Sequence, residues 1–239
     1  KVQLARHARM VPQRPSANTP RSGRVSPDPL PRRTGPLPKI GRGRVELIAI
    51  GASTGGVKAL SQVLQQLPEE TPPIVITQHM PETFTSRFAD RLDAGLPHDV
   101  SEAVPGEQLT KGMIRIAPGD THLKVERLNG HLITSNDASG PISGHRPSVD
   151  VLFNSVSIAA GAGAIGIILT GMGRDGAAGL RTMRNAGSMT LGQSEATCVV
   201  YGMPKAAYDL GAVSEELDLC EIPARICEFL NLGRAIKSA

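Results

Sequence analysis

Aromatic residues are scarce in this sequence: they make up 3% of 239 positions, and tryptophan is absent. A buried core must therefore be built mainly from Val, Ile, Leu, Ala and Met. No apolar run reaches the roughly 18 residues that a membrane-spanning helix needs. The basic start of the chain also lacks the apolar stretch of a secretory signal. We therefore expect no insertion into a membrane.

Cysteine is also rare. The three cysteines, Cys198, Cys220 and Cys227, form no C-x-x-C pair and are odd in number, which predicts free thiols in a reducing cytoplasm. No cluster of His, Cys and Asp residues suggests a metal site, and we expect no cofactor.

Positive charge is concentrated at one end of the chain. Residues 1–44 hold 11 of the 26 Lys/Arg and one of the 22 Asp/Glu, which leaves 15 basic and 21 acidic residues in the remainder. The sequence pI of 9.2 therefore reflects this segment and does not indicate a nucleic-acid-binding domain. The same segment carries 8 of the 19 prolines, which predicts a flexible, basic, Pro-rich linker. Because the chain begins with Lys, we expect a longer protein in which another domain precedes this linker.

From Val45 to Ala239 the pattern predicts one α/β domain. Short apolar runs, typical of buried parallel strands, alternate with segments of helical periodicity. This alternation predicts a doubly wound, mainly parallel sheet in a Rossmann-like three-layer arrangement, and Asn129-Gly130 predicts an added antiparallel hairpin. The expected strands are 46–50, 74–77, 113–117, 122–128, 131–135, 164–169 and 189–192, and the expected helices are 56–67, 84–92, 149–160, 176–186 and 222–232.

Three polar residues follow three of the predicted parallel strands. Ser53 comes after ELIAI, His79 after IVIT and Gln78, and Asp175 lies in the turn after AIGIIL. Because the carboxyl ends of parallel strands converge on one crevice, we expect these side chains to meet. An imidazole can accept the proton of a serine hydroxyl, and a carboxylate can orient that imidazole. The placement therefore predicts a Ser-His-Asp triad with Ser53 as the nucleophile.

Each of these residues also has a simpler explanation. A glycine-rich turn before a helix, such as residues 51–56, can bind phosphate or a nucleotide, or can only turn the chain. Asp175 can cap the helix that follows it, and a lone His after a strand is often structural. The basic segment could instead bind an acidic membrane or nucleic acid, although it lacks the aromatic residues and amphipathic periodicity of such binders. No role is assigned to His98, His122 or His131.

Six ordered segments stand out between Val45 and Leu232: IGASTGG (50–56), QHMPETFT (78–85), APGDTHL (117–123), GHRPSVDVLF (144–153), LTGMGRDGAAGL (169–180) and VVYGMPKAA (199–207). In these segments the sequence resembles the catalytic domain of the chemotaxis protein-glutamate methylesterases.

The resemblance implies a cytoplasmic esterase that hydrolyses glutamate γ-methyl esters on chemoreceptor signalling helices, releases methanol and serves chemotactic adaptation. It further implies a glutamine deamidase activity. The implied nucleophile is Ser53, with His79 as base and Asp175 as its partner. The N–H of Met172 matches an oxyanion-stabilising position, and Thr54 and His145 match further polar positions of the active site. Full-length relatives carry an N-terminal receiver domain that a chemotaxis histidine kinase phosphorylates.

Overall fold

The structure, a computed structural model, describes residues 45–231, so the predicted linker at 1–44 and Leu232 lie outside it. The strands are β1 (Leu47–Ala52), β2 (Ile74–Gln78), β3 (Asp99–Glu102), β4 (Met113–Ile116), β5 (His122–Leu128), β6 (His131–Asp137), β7 (Ala164–Ile168), β8 (Met189–Gln193) and β9 (Glu215–Leu217). The helices are α1 (Gly56–Leu64), α2 (Glu82–Asp93), α3 (Val149–Ala159), α4 (Ala177–Asn185), α5 (Met203–Asp209) and α6 (Ile222–Phe229).

Seven of the strands form one parallel sheet in the order β3-β4-β2-β1-β7-β8-β9. The central strand β1 pairs with β2 on one side and with β7 on the other. The chain fills the β2 side of the sheet first and then the β7 side. The order of strands therefore reverses at β1, and the crevice above its carboxyl end is where α/β proteins of this kind bind ligands.

Alternate residues of β1 face two separate cores. Ile48 and Ile50 are buried in the core that α1, α2 and α6 cover, whereas Leu47 and Ala49 are buried in the core under α3, α4 and α5. The antiparallel pair β5-β6 packs with this second group of helices through Leu123 and other buried residues. The predicted three-layer α/β fold with an added hairpin is confirmed.

The predicted elements and the observed ones differ mainly at the edges of the sheet. The hairpin turns at Asn129 and Gly130, both with positive φ, as the Asn-Gly signal predicts. The strands β3 and β9 were not predicted, because DVSE and EEL are short and acidic and lack an apolar pattern. The helix α5 has only seven residues and includes Pro204 in its first turn, so its periodicity is too short to identify.

No helix between Val45 and Asn231 combines the length and the apolar character that crossing a bilayer requires.

The packing of α3 against β1 should depend on Phe153. This side chain is fully buried, and Gly51 and Gly179 are close to it from two sides. We expect Phe153→Ala to lower the free energy of unfolding by about 3–5 kcal/mol in urea or guanidinium titrations, because it removes a large buried ring. Ile158→Ala, in the same helix but 88% exposed, should change it by less than about 0.5 kcal/mol. Similar losses in both variants would contradict the assigned buried face of α3.

Candidate active site

The three predicted residues lie at the carboxyl ends of three neighbouring strands. Ser53 directly follows β1, His79 directly follows β2, and Asp175 lies in the turn after β7. Backbone hydrogen bonds continue beyond the strands, since the Ser53 N–H donates to the Thr170 carbonyl at 3.0 Å. Likewise the His79 N–H donates to the Ala52 carbonyl at 3.0 Å. The backbones that carry the hydroxyl and the imidazole are therefore fixed by the sheet itself.

Gln78 joins the backbones of the first two residues a second time. Its buried side-chain amide nitrogen donates to the Ser53 carbonyl at 3.0 Å and to the His79 carbonyl at 3.1 Å. A single side chain at the end of β2 thus holds the two strand ends at a constant separation.

The imidazole of His79 is paired with the carboxylate of Asp175. The distance from His79 Nε2 to Asp175 Oδ2 is 2.8 Å, and their side chains are 9% and 0% exposed. Because Asp175 accepts at this position, Nε2 carries a proton, and in the neutral ring Nδ1 is the basic nitrogen. Nδ1 is buried and has no hydrogen-bond partner among residues 45–231. Trypsin-like enzymes use the two nitrogens in the opposite order.

The carboxylate of Asp175 also binds the N-terminus of α3. It accepts hydrogen bonds from the Ser148 hydroxyl at 2.8 Å, the Val149 N–H at 2.7 Å and the Asp150 N–H at 3.1 Å. The N-terminal end of a helix favours a negative charge through its free N–H groups and its dipole. The simpler expectation, that Asp175 caps its own following helix, does not hold, because α4 has Gly176 at its N-cap and no side-chain cap.

These contacts determine the ionisation of Asp175. Burial raises the pKa of its carboxyl, but the hydrogen bonds from His79, Val149 and Ser148 outweigh that effect, and the pKa is lowered from its ordinary value. The group is therefore a carboxylate throughout the physiological pH range. A fixed negative charge beside Nε2 favours the protonated imidazole that general-base catalysis would create.

His145 covers one face of His79. The two rings are stacked with centroids 3.8 Å apart and an angle of 8° between their planes. Burial lowers the pKa of His145, and the positive charge of a protonated His79 lowers it further. The lowered pKa favours the neutral form of His145. Its stacked ring restricts the movement of the His79 ring without adding a second positive charge.

Ser53 is half-buried at the edge of this group, and its hydroxyl makes no hydrogen bond within the described residues. Gly171 packs directly on it, since a Cβ at Gly171 would lie 2.7 Å from the Ser53 Cβ. The next residue, Met172, is therefore close to Ser53, and its N–H has no acceptor in residues 45–231. Thr54 is exposed beside Ser53. All six predicted site residues thus fall in or beside the crevice.

Sequence reasoning missed three residues that hold the site together. Gln78 and Thr170 contact the backbone of the predicted nucleophile, and Ser148 contacts Asp175. Ser148 immediately precedes α3, where serine is a preferred capping residue, so its position carried a usable signal. No local pattern distinguishes Gln78 or Thr170 from ordinary residues at the ends of strands.

No three His, Cys, Asp or Glu side chains come together as a possible metal site between residues 45 and 231. The described cysteines form no disulfide.

Fold and site together define an α/β protein whose polar residues meet at the reversal point of a parallel sheet. A family model described as CheB methylesterase matches residues 48–226. The chain belongs to this family, as its sequence motifs predicted.

Two curated relatives and one solved structure illustrate the similarity. The chain is 55% identical over 190 residues to protein-glutamate methylesterase/protein-glutamine glutaminase 1 of Caulobacter vibrioides, covering 79% of this chain and 55% of that protein. It is 44% identical over 237 residues to the protein-glutamate methylesterase/protein-glutamine glutaminase of Salmonella typhimurium, covering 99% and 64%. It is 36% identical to the CheB methylesterase catalytic domain of Thermotoga maritima, with a TM-score of 0.75, covering 78% and 99%. The chain thus spans between about half and two thirds of the length of these curated relatives.

Asp175→Asn should destabilise the domain in a pH-dependent way. The amide that replaces the carboxylate can accept through only one atom, and it presents hydrogens to helix donors, so we expect a loss of about 2–4 kcal/mol at neutral pH in denaturant titrations. Because the folded pKa of Asp175 is lowered, its stabilisation is fully present above the unfolded pKa of about 3.9 and is lost as the pH falls through the folded value. The difference in the free energy of unfolding between the wild type and Asp175→Asn should therefore become smaller below about pH 4.

Asp209→Asn is the matched control, because within residues 45–231 the Asp209 side chain forms only an exposed pair with Lys205. Asp209→Asn should lower the free energy of unfolding by less than about 1 kcal/mol at every pH. A gap between the wild type and Asp175→Asn that widens on acidification would contradict the lowered pKa.

Proposed function

We propose that this domain hydrolyses γ-methyl esters of glutamate side chains on chemoreceptor signalling helices through Ser53, His79 and Asp175, and releases methanol. The observation that carries the proposal is the buried His79–Asp175 pair, whose Nδ1 has no partner among the described residues and whose strand, β2, is next to the strand that Ser53 follows. The names of the curated relatives, protein-glutamate methylesterase/protein-glutamine glutaminase, support the ester substrate.

The chemistry proceeds in two displacement steps. Ser53 Oγ attacks the ester carbonyl carbon while its proton moves to His79 Nδ1, and the imidazolium is stabilised by the carboxylate of Asp175. The C–OCH₃ bond then breaks, His79 returns the proton to the leaving methoxide, and methanol departs. Water next attacks the acyl-enzyme, with its proton taken by Nδ1 and passed to the departing Ser53 oxygen. Catalytic hydrogen bonds often form only with substrate bound, which is consistent with the free Ser53 hydroxyl.

Negative charge that develops on the carbonyl oxygen needs hydrogen-bond donors that are already in place. The Met172 N–H is proposed as one of these donors. It has no acceptor among the described residues, and it is adjacent to Gly171, which packs on Ser53. Helix α1, whose N-cap is Gly55, begins shortly after Ser53 and adds its positive dipole end. Thr54 and His145 are proposed as supporting polar groups around the bound ester.

Deamidation of glutamine side chains is a second proposed activity. A primary amide presents the same carbonyl to Ser53, and His79 can protonate the amino leaving group, which departs as ammonia in place of methanol. The relatives from Caulobacter vibrioides and Salmonella typhimurium both carry glutaminase in their names, which favours this extension.

Phosphate or nucleotide binding at residues 51–56 fits the site less well. An anion cradle uses free N–H groups, and two of those in this segment are already occupied: the Ser53 N–H donates to Thr170 and the Gly56 N–H donates to the Ser53 carbonyl at 2.8 Å. Gly55, at the N-cap of α1, has φ of +82°, and a Cβ there would lie 2.6 Å from the Val199 Cβ. The glycine thus serves a tight turn packed against protein.

The proposed context is chemotactic adaptation in the cytoplasm. We propose that residues 1–44 form a linker to a receiver domain that a chemotaxis histidine kinase phosphorylates, as the family resemblance implies. The chain spans 55% of the Caulobacter vibrioides relative, which leaves room for such a domain in a longer protein.

Ser53→Ala should abolish methanol release from methylated receptor fragments. We expect kcat to fall by at least about 10³-fold with an unchanged circular dichroism spectrum, because the nucleophile is lost and no buried contact is removed. Ser61→Ala, in α1, is the control, since the one contact of the Ser61 hydroxyl among the described residues is its hydrogen bond to the Val57 carbonyl of its own helix. Turnover by Ser53→Ala near the wild-type rate would refute the assignment.

Deletion of residues 1–44 should leave kcat within about twofold of the intact chain, because every proposed catalytic contact lies within residues 45–231. The measurement is methanol release by both chains under identical conditions. If methanol release instead disappears with residues 1–44 while the shortened chain stays folded, that segment takes part in the function.

A further inference from the structure

His122, the first residue of β5, is a fully buried histidine outside the proposed triad. Its Nδ1 accepts the backbone N–H of Ser148 at 3.0 Å, and its Nε2 faces the Gly140 carbonyl at 3.2 Å. A backbone N–H can only donate and a carbonyl can only accept, so these partners select the neutral ring with its proton on Nε2. The buried ring therefore has a defined tautomer and a defined orientation.

The two partners of His122 lie at opposite ends of one loop. Gly140 and Ser148 enclose the segment between β6 and α3, and this segment carries His145, which stacks on His79. The loop is a tight turn, because Ile142 and His145 exchange backbone hydrogen bonds of 3.0 and 2.9 Å. His122 thus joins both ends of the loop that covers the proposed base.

Ser148 links this contact to the carboxylate. Its backbone N–H is held by His122 while its hydroxyl donates to Asp175 Oδ1 at 2.8 Å. Asp175 in turn accepts from His79 Nε2 at 2.8 Å. Hydrogen bonds at the two ends of Ser148 thus connect His122 to Asp175, and Asp175 pairs with the imidazole of His79.

We propose that His122 is a positioning residue for the His79–Asp175 pair: through the N–H of Ser148 it holds the N-terminus of α3 against Asp175. It touches no reacting atom. The inference deepens the proposed triad and rests on it for its effect on turnover. Its effect on the geometry of the His79–Asp175 pair is independent of any substrate.

The two contacts of His122 can be removed one at a time. In His122→Asn the side-chain oxygen falls near the place of Nδ1 and can still accept the Ser148 N–H. In His122→Gln the amide nitrogen reaches toward Gly140, and the acceptor for Ser148 is lost. His122→Leu removes both contacts at similar volume.

His98→Leu is the matched control. His98 is also buried, but it contacts Thr71 and the Pro68 carbonyl before β2, at the amino ends of the strands.

The first measurement is NMR of the ligand-free, ¹⁵N-histidine-labelled chain. His122 should show the neutral Nε2–H tautomer, and the His79 Nε2–H proton, identified by its loss in His79→Gln, should report the pair with Asp175. We expect that proton signal to stay in place in His122→Asn and His98→Leu and to shift or broaden in His122→Gln and His122→Leu. An unchanged signal in all the His122 variants, or the other tautomer in the wild type, would overturn the proposal.

The second measurement is methanol release, corrected for the folded fraction of each variant. We expect kcat to fall about 10- to 100-fold in His122→Gln and His122→Leu with KM nearly unchanged, and to stay within about threefold in His122→Asn. His98→Leu should lower thermal stability but not kcat. Equal kcat losses in His98→Leu and His122→Leu, or a larger loss in His122→Asn than in His122→Gln, would overturn the proposal. A wild type without turnover would refute the proposed function instead, while the NMR result would still decide the role of His122.

Discussion

The buried carboxylate of Asp175 is the contact on which the arrangement of the site depends. A carboxylate out of water is costly unless its lone pairs are satisfied, and here His79, Ser148, Val149 and Asp150 supply the donors. Three of these donors belong to the start of α3, so the charge lies where the helix favours an anion. The same charge holds the proton of His79 on Nε2. Nδ1 of His79 is therefore the basic nitrogen. This assignment depends on the contact between the start of α3 and Asp175, which lies in the turn after β7.

The parallel sheet brings the three segments that follow β1, β2 and β7 close together, which the site also requires. Since β1 lies between β2 and β7, the segments after these strands share one edge of the sheet. Approach of the β7 turn to β1 is possible because Gly171 has no side chain, and a Cβ there would lie 2.3 Å from the Met203 sulfur. The backbone of Ser53 is thus packed and hydrogen-bonded on both sides, while the residue as a whole is only half-buried.

The sequence alone predicts the ends of the buried strands and the polar residues that follow them, because local patterns encode both. Buried strands such as β7 are apolar throughout, so their ends, and the polar residues after them, are readily located. The order of strands in a parallel sheet is not written in any local pattern, and so the adjacency of β2, β1 and β7 needed the structure. The same is true of the partners of Asp175, since its contact with α3 joins residues more than 20 positions apart. Motif resemblance predicted the family, which is confirmed, but not which nitrogen of His79 faces Asp175.

Nucleophile and base are positioned by different parts of the molecule. Ser53 is held by the sheet through the Thr170 carbonyl and Gln78, whereas the ring of His79 is oriented by Asp175 and covered by His145. The first set of contacts belongs to the cooperative core, whose loss unfolds the domain. The second set belongs to a helix end and a loop outside the sheet. A displacement of about 1 Å at a reacting group can cost on the order of 100-fold in rate. Residues of β5 and of the start of α3 therefore act on the rate through the geometry of the base, whereas Thr170 and Gln78 act on it through the position of the nucleophile.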